Sequence, residues 1–118
     1  MAEMDQVVIK LPEEVVLEAL KQQLSRTDPA NTAAKCEVLA KAVRSYIRDG
    51  LQIQAAGLPT PELREALKRN STDAGEIELL VLILEKCDEV KFAKKELPIA
   101  EFDSLCAKFE DFLKVPGT

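Results

Sequence analysis

The chain has 118 residues, 47 % of them apolar and 31 % charged, which suits one folded, soluble domain around one core. Its formal charge of −5 disfavours phosphate backbones and anionic lipid surfaces as partners. It contains no histidine, which removes Ser-His-Asp and Cys-His nucleophiles and histidine zinc sites together.

Residues 1–11 are a mixed lead-in, with Val7, Val8 and Ile9 either extended or simply leading into the first helix. A first helix starts at Leu11-Pro12-Glu13-Glu14, with proline at the first helical position and acids where the helix dipole favours them. Val16, Leu20 and Leu24 repeat every four residues, with Val15 and Ala19 beside them, and the helix ends near Ser25. Asp28-Pro29 is the next start signal, Asp as N-cap and Pro at N1. The stripe Cys36, Leu39, Ala40, Val43 and Ile47 follows at helical steps, and Gly50 is the expected stop, with residues 51–55 able to carry the helix on to Gly57.

Leu58-Pro59-Thr60-Pro61-Glu62 marks a third start, Thr60 as N-cap, and Leu63, Ala66 and Leu67 give a short helix ending near Arg69 or Asn70. Residues 79–84 are then six large apolar side chains without a break. Such a run is a buried strand or the inner helix of a bundle. Asp73 as N-cap and Glu76 three residues on decide for helix. Ile77, Leu80, Val81, Leu84 and Cys87 form its main stripe, Leu79, Leu82 and Ile83 spread apolar surface around the other sides, and it ends between Phe92 and Lys95. A last helix runs from about Pro98 to Leu113 on the stripe Phe102, Leu105, Cys106, Phe109, Phe112 and Leu113, and residues 115–118 are a frayed tail. The expected fold is a single all-α domain: four long helices and one short one enclosing a central apolar helix.

Chemistry is sparse. Cys36, Cys87 and Cys106 are widely spaced on apolar faces, with no CxxC pair; they are expected to pack as small hydrophobes in a reducing cytosol. Four isolated glycines make no phosphate cradle, and no acidic loop has calcium-site spacing. The N-terminus shows no signal peptide, and the longest apolar run is far shorter than the roughly 20 residues a bilayer requires. No catalytic, metal or cofactor residues are assigned. Glu13-Glu14, Glu76 with Glu78, and Asp88-Glu89 are the nearest carboxylate pairs for acid–base work, and each is better explained as helix-end charge or a wet face. Asp88 and Lys91 can pair along one helical face, or form a recognition patch. A helix-turn-helix is excluded, because its would-be recognition helix is the most apolar stretch of the chain.

Three patches carry a resemblance: Val43-Arg44-Ser45-Tyr46-Ile47; Gly57-Leu58-Pro59-Thr60-Pro61-Glu62-Leu63; and Leu84-Glu85-Lys86-Cys87-Asp88-Glu89-Val90-Lys91-Phe92-Ala93. In this order, over residues 16–113, the chain resembles the helical cytosolic tail of BatD-type aerotolerance proteins and related small proteins encoded beside MoxR-type AAA+ ATPases. The Asp-x-x-Lys-Phe-Ala element is the most specific of the three. Glu89 departs from a position that is usually apolar there, and the membrane anchor and periplasmic β-domains of that family are not part of this sequence, which is expected to be either a stand-alone cytosolic relative or the excised tail of a membrane-tethered protein. The resemblance implies a non-enzymatic cytoplasmic interaction module whose partner is a MoxR-type ATPase or a von Willebrand A-type protein. It marks Asp88, Lys91, Phe92, Arg44 and Tyr46. Their plainer role is to lock the packing, Phe92 as a core anchor and Arg44 and Tyr46 bonding across helices. Homodimerisation through an exposed stripe on the first or last helix is the alternative from the residues themselves, and a small carboxylate enzyme is another.

Overall fold

Proline and Asx signals break the chain into five α-helices: α1 (Pro12–Ser25), α2 (Thr32–Asp49), α3 (Thr60–Arg69), α4 (Ala74–Phe92) and α5 (Ile99–Leu113). The structure, a computed structural model, describes residues 11–55, 57–70 and 72–114, which contain no strand. The lead-in before Leu11 and the tail expected at 115–118 lie outside the described residues. Among the described residues no helix is long and apolar enough to cross a membrane.

Of the first three helix starts, one follows its sequence signal and two differ from it. At α1 the Glu14 carboxylate reaches back to accept the Leu11 N–H at 3.1 Å, so Leu11 is the N-cap and Pro12 opens the helix as expected. At α2 the expected cap Asp28 is used in a turn instead. Its Oδ1 accepts from Ala30 N–H at 2.9 Å and its carbonyl from Asn31 N–H at 2.9 Å. Proline after Asp favours such a turn as strongly as it favours a helix. Asn31 is the real cap, its side chain accepting from Ala34 N–H at 3.0 Å. At α3 Thr60 lies inside the first turn, Pro59 holds the cap position, and the Thr60 hydroxyl is directed elsewhere.

The end of α2 also corrects an expectation. Gly50 is the C-cap where α2 stops, as expected, but with a right-handed φ of −82° and not the left-handed conformation usual for a terminal glycine. It is there for space: a Cβ would fall 2.7 Å from Tyr46 Cε1 and 2.8 Å from the Tyr46 carbonyl oxygen. The helix does not run on to Gly57, because the chain turns through Gln52 at φ 58°. At α4 Asp73 is the N-cap as expected, its Oδ2 accepting from Gly75 N–H at 2.9 Å and Glu76 N–H at 3.3 Å, but the Glu76 side chain does not reach back to complete a capping box. Glu76 is pushed above the usual carboxylate range by burial, then by Asp73 and Glu13.

The helical stripes become the core. Leu39, Val43 and Ile47 of α2, Leu63 and Leu67 of α3, Leu80 and Ile83 of α4 and Phe109 of α5 are fully buried. All three cysteines are free and buried, as small hydrophobes would be. α4 packs most extensively on α2, then on α3 and least on α5, while α1 packs on α2 and α5. The paired helices α2 and α4 are therefore the spine, and α4 is not enclosed on every side. Leu82 is 37 % exposed and Leu79 is half-buried. The reason is geometric: an unbroken apolar run spreads around the whole helix, but three neighbours leave one side in water.

Candidate functional site

The site is a groove of about 450 Å³ between α2 and the C-terminal half of α4. Its floor is made of small side chains, Ala33, Cys36 and Ala40 from α2, Cys87 from α4 and Ala55 from the following loop. Its walls carry long charged ones: Lys41, Arg44 and Arg48 along α2, and Lys91 beside Phe92 at the end of α4. These α2 positions lie off its buried stripe, and so they face solvent along the groove rather than the core.

Four of the five residues singled out in the sequence meet here. Arg44 is half-buried, and its Nη1 donates to the Ala55 carbonyl at 3.1 Å and the Leu58 carbonyl at 2.8 Å. It pins Ala55 and Leu58 to α2, rather than bonding from helix to helix as expected. Asp88 is not paired with Lys91: its Oδ2 accepts the Thr60 hydroxyl at 2.7 Å and fastens the start of α3 to α4. Lys91 Nζ sits 5.2 Å from the centre of the Phe92 ring, a cation–π distance. Phe92 is the clear correction. Far from anchoring the core, it is 72 % exposed, because it sits on the last turn of α4, where no other helix follows to cover it.

Tyr46 is elsewhere. It is buried against Phe112, ring edge to ring face, with centroids 5.2 Å apart. Burial, with smaller contributions from Glu76 and Glu13, pushes its phenol up to about 12. It braces α2 against α5 and takes no part in the groove.

Under the groove the thiols of Cys36 and Cys87 interact across the α2–α4 interface. The neighbouring Cys87 thiol lowers Cys36 against the opposing effect of burial, while Cys36, then burial, raises Cys87. Cys106 is apart from them on α5; burial, then Glu110, pushes it up to about 12, and its thiol donates to Glu110 Oε2 at 3.5 Å. Among the described residues no three Cys, Asp or Glu are grouped as a metal ion would require.

Sequence reasoning missed Lys41, Ala33, Ala40 and the loop residue Ala55. For the α2 residues a signal was present. Ala33 and Ala40 are seven apart and Lys41 and Arg44 three apart, so each pair shares one side of a helix, next to the apolar stripe. Ala55 carries no such signal, since a tertiary hydrogen bond to its carbonyl places it. The groove continues past Lys91, Ala33 and Glu37 into a second depression of about 710 Å³ that reaches Lys94, Lys95 and Leu97.

No protein-family model, curated protein or solved structure matches the chain.

Proposed function

We propose that the chain is a non-enzymatic protein-binding module, a bundle of four longer helices and one short one that receives a partner in the α2–α4 groove. One observation carries this reading. An exposed phenylalanine, a row of cations and a floor of small side chains occur together on a surface that the other helices leave open. Exposed aromatic and guanidinium groups around a concave, partly apolar floor are what a protein interface uses for affinity. The resemblance of the Asp88-to-Ala93 element to BatD-type tails makes a cytoplasmic MoxR-type ATPase, or a von Willebrand A-type domain, the first partner to try.

The test is capture by immobilised protein in three forms: wild type, Ala40→Arg, which fills the groove, and Lys108→Glu, on exposed α5 surface away from it. A purified MoxR-type ATPase and a cell lysate are both offered. Partners should be retained by the wild type and by Lys108→Glu and lost by Ala40→Arg with its helical circular dichroism intact. Equal capture by Ala40→Arg rejects the groove as the binding surface.

A second reading has its own observation. Leu11 and Val15, one turn apart at the start of α1, are 46 % and 48 % exposed. Such a stripe suits self-association, and sedimentation velocity across a concentration series would reveal a dimer that Val15→Glu disperses.

A further inference from the structure

We infer that the occupant of the groove is an acidic, amphipathic segment of a partner protein, its apolar face on the small-residue floor and its carboxylates against the cations of the walls. This rests on the reading of the groove as a binding surface and adds the chemistry of what binds.

Charge is the first argument. The groove lining holds four cationic side chains, Lys41, Arg44, Arg48 and Lys91, against two anionic ones, Glu37 and Asp88, in a chain whose overall charge is −5. The groove is thus a positive inset on a negative molecule. Three of its cations remain uncompensated. Arg48 is paired with Asp49 at 2.8 Å, but Arg44 bonds only to neutral carbonyls. Lys41 and Lys91 have no carboxylate within ion-pair distance among the described residues. A neutral hydroxyl bond does not discharge Asp88, so Asp88 and Glu37 both oppose the row, and the three unpaired cations still outnumber them.

Shape is the second. Ala33 and Arg48 are fifteen residues apart on α2, so the groove follows that helix for about 22 Å at 1.5 Å per residue. That accommodates about four turns of a partner helix. A floor of Ala33, Cys36, Ala40 and Cys87 lets another backbone approach closely, and Phe92 at the end of α4 is placed to lie against an apolar side chain of the occupant. Arg44, held by two carbonyls, is a preorganised cation and loses little freedom when a carboxylate arrives.

The test uses three fluorescein-labelled synthetic peptides, read by anisotropy on the full chain. The first has leucines along one face and glutamates on its flanks, the second exchanges the glutamates for lysines, and the third keeps the glutamates and exchanges the leucines for serines. The first should bind at least tenfold more tightly than either of the others. It should lose several-fold in affinity between low and moderate salt, and at least tenfold on Lys41→Glu/Lys91→Glu, both exposed positions whose change spares folding. Equal binding of the glutamate and lysine peptides, no binding of the first, or full affinity in the double variant would overturn the inference. The two readings fail separately. A partner captured by the wild type, lost by Ala40→Arg and kept by the double variant leaves the binding module standing and removes its acidic occupant. Partners that survive Ala40→Arg remove the module itself.

Discussion

Tyr46 is the only tyrosine, which makes its ionisation directly readable. Burial raises it to about 12 from an ordinary value near 10. The folded state therefore prefers the neutral phenol, so the stability this provides is complete below pH 10 and is lost as pH rises through about 12. Absorbance at 295 nm should titrate near pH 12 in the folded protein and near 10 in urea. A native midpoint at 10 would mean that Tyr46 is not buried against Phe112. Gly50 gives a sharper sign test beside it. At a right-handed φ, glycine to alanine ordinarily stabilises by about 0.4–1 kcal/mol through the unfolded chain. Here the new methyl would meet the Tyr46 ring and carbonyl below 3 Å, and overpacking costs about 1–3 kcal/mol. Gly50→Ala should lower the urea midpoint; a raised midpoint would mean that the ring does not lie there. Neither role was legible in the sequence. Glycine at a helix end is read as a left-handed stop, and only the tertiary position of one ring shows that space is what it provides.

The helices themselves were largely legible, because each has a full apolar stripe and an Asx or proline start. The failures have local causes: Asp28 had two uses and the turn won, and Thr60 gave its hydroxyl to Asp88 across the fold. The end of α4 had no glycine or asparagine to announce it. The chain reverses through Lys94 at φ 53°, with the N–H groups of Ala93 and Lys95 both reaching the Glu89 carbonyl at 3.1 Å. A left-handed lysine is strained by about 1–2 kcal/mol, part of which glycine would recover at some entropic cost. Lys94→Gly should therefore stabilise the protein by up to about 1 kcal/mol in denaturant titration. Destabilisation would show that α4 continues past Phe92.

For the whole molecule, α2 and α4 do two jobs. Their facing stripes hold the core, and the surface between α2 and the end of α4 forms the groove. The sequence pointed to α4 as the inner helix but gave it too many neighbours, since hydrophobicity alone does not count how many helices surround it. Leu80 and Leu82 separate the two pictures. Leu80→Asp places an unpaired charge in the core at a cost of several kcal/mol, a large part of a stability of about 5–15 kcal/mol, and should abolish cooperative melting. Leu82→Asp, on the watery side, should fold. If both unfold, α4 is wrapped on all sides. The site was half legible: the element from Asp88 to Phe92 was marked in advance, but Phe92 was expected inside because its partners inside or outside lie in other helices.

The groove's role is tested most directly by mapping amide chemical shifts of the full chain as a captured partner is titrated in. Shifts should concentrate on α2 between Ala33 and Arg48 and on α4 from Cys87 to Phe92, with α1 and α5 nearly still. Shifts centred instead on Leu11, Val15 and Ile99 would contradict the account and place recognition on the opposite helices.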